Sequence, residues 1–219
     1  MRSKYFLIFT IFSLALIFLG QEVISKKVEI RVRGGHVNEF KDSKGRIWYP
    51  GQKEYSKGDW GGWIEQLPQT AEVATLTPDA KKTAEEAGYD EPLFYAVSWA
   101  AFPITVKHDI NTGSGIFDVT YLVGEHWSPN NRGYDIFIEG ENVLPLYVTP
   151  GNNEIDIKKF EGIQVKDGVM NFDFAGNAKT GKGDLNAMFS GLEIVTSKYS
   201  VEPNDDKLTA TWGKIKASY

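Results

Sequence analysis

The chain has 219 residues, a net charge of −5 and no cysteine. The absence of cysteine excludes disulfide bonds, thiol catalysis and thiolate metal ligands, so an exported domain of this size has to be held together by its hydrophobic core. The acidic charge balance argues against nucleic acid as a partner, because binding phosphates requires clustered Lys and Arg.

The N-terminal residues predict a secretory signal peptide. Arg2 and Lys4 provide a positive start, and the run 6–19 is apolar apart from one Thr and one Ser. This run is shorter than the roughly 20 residues that span a bilayer, and it fits the central region of a signal peptide. We expect residues 1–25 to be removed after Ser25, leaving no stable membrane span. A cut after Gly20 and an uncleaved anchor are the alternatives. The predicted location is secreted, periplasmic or at the cell surface.

The rest of the chain reads mainly as short strands. Residues 28–33 alternate apolar and charged side chains, which is typical of a half-buried strand, and Gly34-Gly35 ends it. Asp167-Gly168 is a hairpin signal. Many short strands separated by Gly, Asn and Pro turns indicate an antiparallel β-sandwich. Further strands are predicted at 116–123, 134–139, 144–148, 155–157, 163–165, 170–174 and 189–195.

One helix interrupts the strands. Thr77 is suited to cap it, Pro78 to its first turn and Gly88 to its end. The residues between them form helices well but carry almost no apolar stripe, so we expect an insertion that faces solvent. Residues 197–219 turn polar and are predicted to be a linker and a C-terminal tail that contains Trp212.

Signatures of catalysis are weak. His36, His108 and His126 lack the spacing of a metal site, no phosphate-binding loop lies between a strand and a helix, and no nucleophile elbow appears. We therefore expect no cofactor, no metal and no enzyme activity. Carboxylates are plentiful, however, so a glycoside hydrolase that uses Glu125 and Asp184 as its pair stays open as an alternative.

Tryptophans near turn signals carry the functional information. Trp60 and Trp63 lie in "GDWGGW", which we interpret as a loop because glycine is costly inside regular elements. Trp127 precedes "SPNN", and Trp99 ends "LFYAVSW". Aromatic rings held by loops suit sugars, since the C–H face of a pyranose stacks on a ring while polar side chains bind its hydroxyls. Each tryptophan alone could instead be a lid on the sandwich; together they favour sugar binding.

Several segments occur in a characteristic order. They are "IRVRGGHVNEFKDSKGRIWYPGQ" with Asp42, Gly45 and Trp48, then "EPLFYAVSW", "GIFDVTYLVGEHW", "RGYDIFIEGENVL", "DGVMNFDF" and "FSGLEIV". In this order they resemble the malectin domain, a carbohydrate-binding β-sandwich of the galactose-binding-like type. The resemblance runs from about residue 28 to residue 196.

This resemblance implies a jelly-roll sandwich over residues 26–196 that holds a sugar between aromatic side chains and one aspartate. The matching positions are Trp60, Trp99, His126, Trp127 and Asp184. The family's tyrosines are replaced here by Trp or His, so the sugar itself is left open. An oligo- or polysaccharide is the expected partner, and the family pattern suggests one that contains glucose. We add Glu125 as a second acidic group that orients the hydroxyls.

Our central expectation is that these indoles meet in one hollow, with Trp60 as a stacking platform and Trp63 packed behind it. A protein- or peptide-interaction module of malectin-like fold is the main competing function, and it requires a long groove. The hydrolase alternative requires two carboxyl groups about 5 to 9.5 Å apart across a cleft.

Overall fold

The computed structural model describes residues 27–51, 60–62, 67–70 and 75–198. The predicted signal peptide, Trp63 and almost all of the predicted tail lie outside these ranges. Within them, no helix has both the length and the apolar character needed to cross a bilayer.

Strands dominate the described ranges, as the sequence predicts. One α-helix, α1 (Pro78–Ala87), and two short 3-10 helices, Glu91–Phe94 and Ala178–Thr180, accompany them. The strands are β1 (Glu29–Arg33), β2 (Phe40–Lys41), β3 (Ile47–Pro50), β4 (Trp60–Gly62), β5 (Leu67–Thr70), β6 (Ala96–Trp99), β7 (Val106–Asn111), β8 (Gly115–Glu125), β9 (Gly133–Ile138), β10 (Glu141–Val148), β11 (Glu154–Val165), β12 (Val169–Gly176), β13 (Met188–Phe189) and β14 (Gly191–Thr196).

The strands form two large sheets and one small one. The six-stranded sheet has the order β11-β8-β14-β1-β3-β2, the five-stranded sheet β10-β9-β12-β7-β4, and the small sheet β13-β6-β5. Neighbouring strands are antiparallel except β1 and β3, which run parallel. The predicted antiparallel β-sandwich with one short helix is therefore confirmed.

The main hydrophobic core lies between the two large sheets. Met170, Phe172 and Phe174 of β12 are fully buried, whereas Asn171 and Asp173 between them are partly exposed. This period of two residues places one face of the strand in the core. Burying a side chain of this size stabilises the fold by about 2 kcal/mol. Residues of the opposite sheet, among them Val119, Tyr121 and Ile194, complete the same cluster.

A second core lies beneath α1. Ala80 and Ala84 of the helix are buried and pack with Trp48, Phe94 and Leu122, among others. The expectation that α1 faces solvent is thus wrong, because two alanines suffice to make a buried face and they leave no conspicuous apolar stripe. Its predicted ends are confirmed: the Thr77 hydroxyl accepts a hydrogen bond from the backbone N–H of Ala80, and Gly88 ends the helix with φ of +79°.

Charged groups fasten the end of α1 to the six-stranded sheet. The Tyr89 hydroxyl donates to Glu193, and the Arg46 guanidinium donates to the carbonyl of Gly88 at 2.6 Å. Arg46 also contacts Asp42 at 2.6 Å. Burial alone would raise the pKa of Asp42, but hydrogen bonds from Trp48 and Arg46 outweigh it and lower that pKa. The helix is therefore a fixed part of the domain surface.

Strands β2, β3, β5 and β6 were not predicted, and two further differences concern β11 and β7. The short strands predicted at 155–157 and 163–165 belong to one long strand, β11, whose register shifts between Phe160 and Ile163. Strand β7 was not predicted, because its buried positions include His108, a polar residue that hides the alternation of Val106 and Ile110. Both differences leave the sandwich unchanged.

Candidate functional site

Strand β8 ends at Glu125, and this carboxylate shapes the loop that follows. Glu125 is fully buried, and its Oε1 accepts hydrogen bonds from the backbone N–H groups of Trp127 and Ser128, both at 2.9 Å. These two bonds fix the turn that presents Trp127. Glu125, which we expected to contact a sugar, therefore has no solvent-facing oxygen to offer, and we do not retain it as a ligand contact.

Arg132 joins Glu125 to Asp184. Its Nε lies 3.1 Å from Oε2 of Glu125, and its terminal nitrogen lies 3.1 Å from Oδ2 of Asp184 and 2.9 Å from the carbonyl oxygen of Asn186. The arginine is buried. One buried guanidinium thus lies between the two carboxylates that the hydrolase alternative needs and pairs with both of them. Asp184 is only partly accessible, and its other oxygen accepts from the Asn186 N–H.

His126 and Trp127 form a row of partly exposed rings with Tyr95. The ring centres of Tyr95 and His126 are 6.2 Å apart, and those of His126 and Trp127 are 5.3 Å apart. Nε2 of His126 lies 3.0 Å from the carbonyl oxygen of Phe94, so it is the nitrogen that carries hydrogen and donates. Nδ1 lies 2.8 Å from the Asn153 side chain. Both nitrogens are occupied, which leaves the ring surface for contact. We call Tyr95, His126 and Trp127 the ring row.

Trp99 lies at the end of β6, where it pairs with Met188 of β13. It is partly buried and packs against the main core. The backbone carbonyl of Met188 is held by the buried hydroxyls of Tyr121 and Tyr134, at 2.9 and 3.1 Å. The strand position of Trp99 is therefore set from inside the sandwich, and Asn186 lies two residues before Met188 in the paired segment.

The loop after Trp99 exposes apolar side chains that the sequence reasoning missed. Phe102 is 49% exposed and Ile104 is 42% exposed. The backbone N–H of Phe102 donates to Oδ1 of Asn186 at 2.8 Å, and the Phe102 ring lies over Gly176. We call residues 101–104 the apolar loop. The signal in the sequence was the run 101–104, which is apolar and lies between two strands. It shows no alternation that would place one of its faces in a core.

Asn186 connects the parts of this end of the sandwich. Its side chain holds the apolar loop, and its backbone carbonyl holds Arg132 of the loop that carries Trp127. The segments that carry Trp99, Trp127 and Asp184 therefore adjoin at one end of the sandwich.

Trp60 is not brought there. It lies in strand β4, not in a loop, and pairs with Ile110, which pairs with Met170 of β12. The strand that follows Arg132 meets β12 at Gly176, six residues from Met170 and so about 20 Å along the sheet. The Trp60 indole stacks on Tyr49 with ring centres 4.4 Å apart, and its N–H donates to the Pro50 carbonyl. Trp60 is therefore not the loop residue that the sequence predicts, because it belongs to a strand and packs on Tyr49.

A polar depression adjoins the other end of the ring row. It encloses about 590 Å³ and has Tyr95 in its wall, together with Lys44 from the β2–β3 turn and Lys81, Glu85 and Glu91 from α1 and the following 3-10 helix. The Tyr95 hydroxyl donates to Glu91 at 2.6 Å, and burial together with this carboxylate raises the pKa of Tyr95. Tyr95 is thus held rigidly between the ring row and the depression.

No family model matches the sequence, and no curated protein matches it. The fold is similar to solved structures. The extracellular domain of ANXUR2 from Arabidopsis thaliana shares 13% identity with a TM-score of 0.63, over 80% of this chain and 51% of that one. The plant peptide RALF23 complex with FER and LLG2 contains a chain with 14% identity and a TM-score of 0.61, over 80% and 50%. Beta-glucuronidase 2 of Bacteroides uniformis shares 18% identity with a TM-score of 0.58, over 78% and 18%.

These likenesses concern the fold. The chain spans about half the length of the plant ectodomains and 18% of the length of the glucuronidase. The β-sandwich implied by the resemblance to the malectin domain is thus shared with plant receptor ectodomains.

Proposed function

We propose that this protein is an exported, non-catalytic module of malectin-like fold that binds a peptide or protein partner at the end formed by the apolar loop and the ring row. The observation that carries the proposal is the exposure of Phe102 and Ile104 beside Trp99. Exposed apolar residues grouped on one loop mark interaction surfaces far more often than scattered single ones do.

The apolar loop is fixed in place before any partner arrives. Asn186 holds its backbone, and Phe102 rests on Gly176, where no side chain intervenes. A loop that is already ordered loses little conformational entropy when it binds. One of the similar folds comes from a complex of the plant peptide RALF23 with FER and LLG2, which is consistent with a sandwich of this type serving as a peptide or protein receptor.

A non-catalytic role is supported by the state of the two carboxylates. Glu125 is buried, and both Glu125 and Asp184 are engaged by Arg132. A glycosidase needs one carboxyl group to give up a proton and the other to attack or to activate water. Groups that already neutralise a shared guanidinium are poorly suited to either task.

The proposal can be tested with a displayed library of random peptides of about twelve residues, a length suited to strand or groove recognition. The full chain is panned against it, and the best peptide is measured by fluorescence anisotropy. Phe102→Ser should weaken binding at least about tenfold, as expected for a central apolar anchor. Ile47→Ser is the matched control, since Ile47 is an exposed apolar residue on β3 of the six-stranded sheet. Equal affinities for the two variants would refute the proposal.

Carbohydrate binding is the second candidate function, and the ring row is the observation that favours it. Its rings are partly exposed, and their nitrogens are occupied, so stacking is the contact they offer. A glycan array tests this candidate with Trp127→Ala and with Trp60→Ala as the distant tryptophan control. Signal lost in the first variant and kept in the second supports a sugar site. Signal kept in both variants removes the ring row from it.

A further inference from the structure

We propose that the ring row and the polar depression form one continuous groove that binds an extended peptide carrying both an acidic and a basic side chain. This inference rests on the proposed peptide-binding function and names the class of ligand. It goes beyond the resemblance to the malectin domain, because one wall of the depression is built by the inserted helix α1.

The ring row has the spacing of an extended peptide. Its successive ring centres are 6.2 and 5.3 Å apart. Side chains on one face of an extended chain repeat every second residue, or about 6.6 Å. A peptide lying along the row can therefore place alternate side chains over Trp127, His126 and Tyr95 in turn.

Tyr95 is the residue that the row and the depression share, and the proposed groove passes over it. On one side its ring lies next to His126, and on the other it lines the depression. Its hydroxyl is tied to Glu91, which also pairs with Lys81 at 3.3 Å. Glu91 and Lys81 therefore satisfy each other and are not the charges left for a ligand.

Two other charges in the depression have no such partner. Among the residues that the structure describes, no carboxylate lies within ion-pair distance of Lys44, and no cation lies within that distance of Glu85. Both side chains line the depression. Lys44 comes from the β2–β3 turn and its ammonium group lies beside Gly88 at the end of α1, whereas Glu85 belongs to the last turn of that helix.

Unpaired charges of both signs favour a peptide over a neutral sugar. Lys44 would attract an acidic side chain and Glu85 a basic one, and complementary charges fix the register and direction of a bound chain. A neutral oligosaccharide can hydrogen-bond to either group, but it carries no charges whose order would be fixed by a positive and a negative group. The charges thus predict the order of acidic and basic residues along the peptide.

A charge-swap experiment tests this prediction on the full chain. The displayed peptide library is panned against the wild type and against the double variant Lys44→Glu with Glu85→Lys. The matched control is Lys82→Glu with Glu86→Lys, which reverses a neighbouring ion pair on the exposed face of the same helix. We expect the wild type and the control to select the same charge order, and the swapped variant to select the reverse order.

The melting temperature of each variant identifies any loss of folding. As a second measurement, the best wild-type peptide is resynthesised with its acidic residue amidated. The loss of affinity on amidation should be at least about fivefold for the wild type and should vanish in Lys44→Glu, which is the signature of a direct contact in a double-mutant cycle.

The outcomes separate this inference from the proposed function. Selected peptides that depend on Phe102 but keep the same charge order after the swap would overturn the groove and leave the peptide-binding function standing. Recovery of neutral oligosaccharides from a glycan array, with loss in Trp127→Ala and no effect of the swap, would assign the row to sugar and overturn the groove as well. The absence of any selected peptide would overturn both.

Discussion

The guanidinium of Arg132 holds the buried carboxylate of Glu125, with 3.1 Å between Nε and Oε2. The other oxygen of this carboxylate accepts the backbone N–H groups of Trp127 and Ser128. One ion pair therefore sets the conformation of the loop that presents the ring row, even though neither of its members reaches a ligand.

We expect Arg132→Met to lower the free energy of unfolding by about 3 to 5 kcal/mol, because it leaves the charge of Glu125 buried without a partner. Urea denaturation measures this loss. Lys179→Met, at an exposed position in the second 3-10 helix, is the control and should change stability by less than about 0.5 kcal/mol. A small effect of Arg132→Met would show that Glu125 is not the charged anchor of the loop.

The buried His108 makes stability depend on pH. Among the residues that the structure describes, no group hydrogen-bonds either ring nitrogen, and burial lowers the pKa of His108 from 6.5 to about 3. Between these two pH values the His108 imidazole is protonated in the unfolded chain but neutral in the folded protein. Stability therefore falls as the pH falls from 6.5 toward 3, by at most about 1.4 kcal/mol per pH unit.

His108→Leu should remove this part of the acid sensitivity. Burial and Arg33 lower the pKa of His36 to about 4, but His36 and Asp42 are present in both proteins and their contributions cancel in the comparison. Urea denaturation gives the free energy of unfolding at pH 7 and at pH 4.5. The difference between these two free energies should be about 2 kcal/mol smaller in the variant. Parallel pH profiles for the two proteins would contradict the buried, neutral state of His108.

The buried face of α1 can be tested with two alanines of the same helix. Ala84 is fully buried against the second core, whereas Ala87 is exposed. Ala84→Leu should cost about 1 to 3 kcal/mol by overfilling this core, and Ala87→Leu should be nearly neutral because Leu forms helices almost as well as Ala. Thermal unfolding compares the two. Equal melting temperatures would mean that the helix does not pack as described.

Trp60 has a structural role in this arrangement. Trp60→Ala removes its contact with Tyr49 and its hydrogen bond to Pro50, and should cost about 2 to 4 kcal/mol. The affinity for a peptide or glycan that depends on Trp127 should stay within about twofold, since Trp60 lies on the edge strand of the five-stranded sheet and Trp127 follows β8 of the six-stranded sheet. If Trp60→Ala weakened the binding of such a ligand as much as Trp127→Ala does, Trp60 would belong to the binding site.

The strand pattern of the main core was readable from the sequence because it is a local property. The alternation of Met170, Phe172 and Phe174 with polar residues indicates by itself that they share one face of a strand. Thr77 and Gly88 indicate the ends of α1, because the first can cap a helix and the second can end one. Such signals do not depend on distant residues, so the sandwich and the helix could be predicted.

The site depended on contacts that no local pattern encodes. Glu125 looks like an available acid until Arg132 and two backbone N–H groups are seen to occupy it. Trp60 looks like a loop residue because glycines surround it, yet pairing with β7 draws it into a strand. The polar depression joins three segments that are remote in sequence. Register and tertiary pairing decide these features.

Strand β8 contributes to both hydrophobic clusters: Tyr121 and Val123 point into the space between the sheets, and Leu122 points toward the helix. The helix layer thus cannot detach without disturbing the centre of the sandwich. We therefore expect the helix and the surrounding β-structure to unfold together as a single cooperative unit.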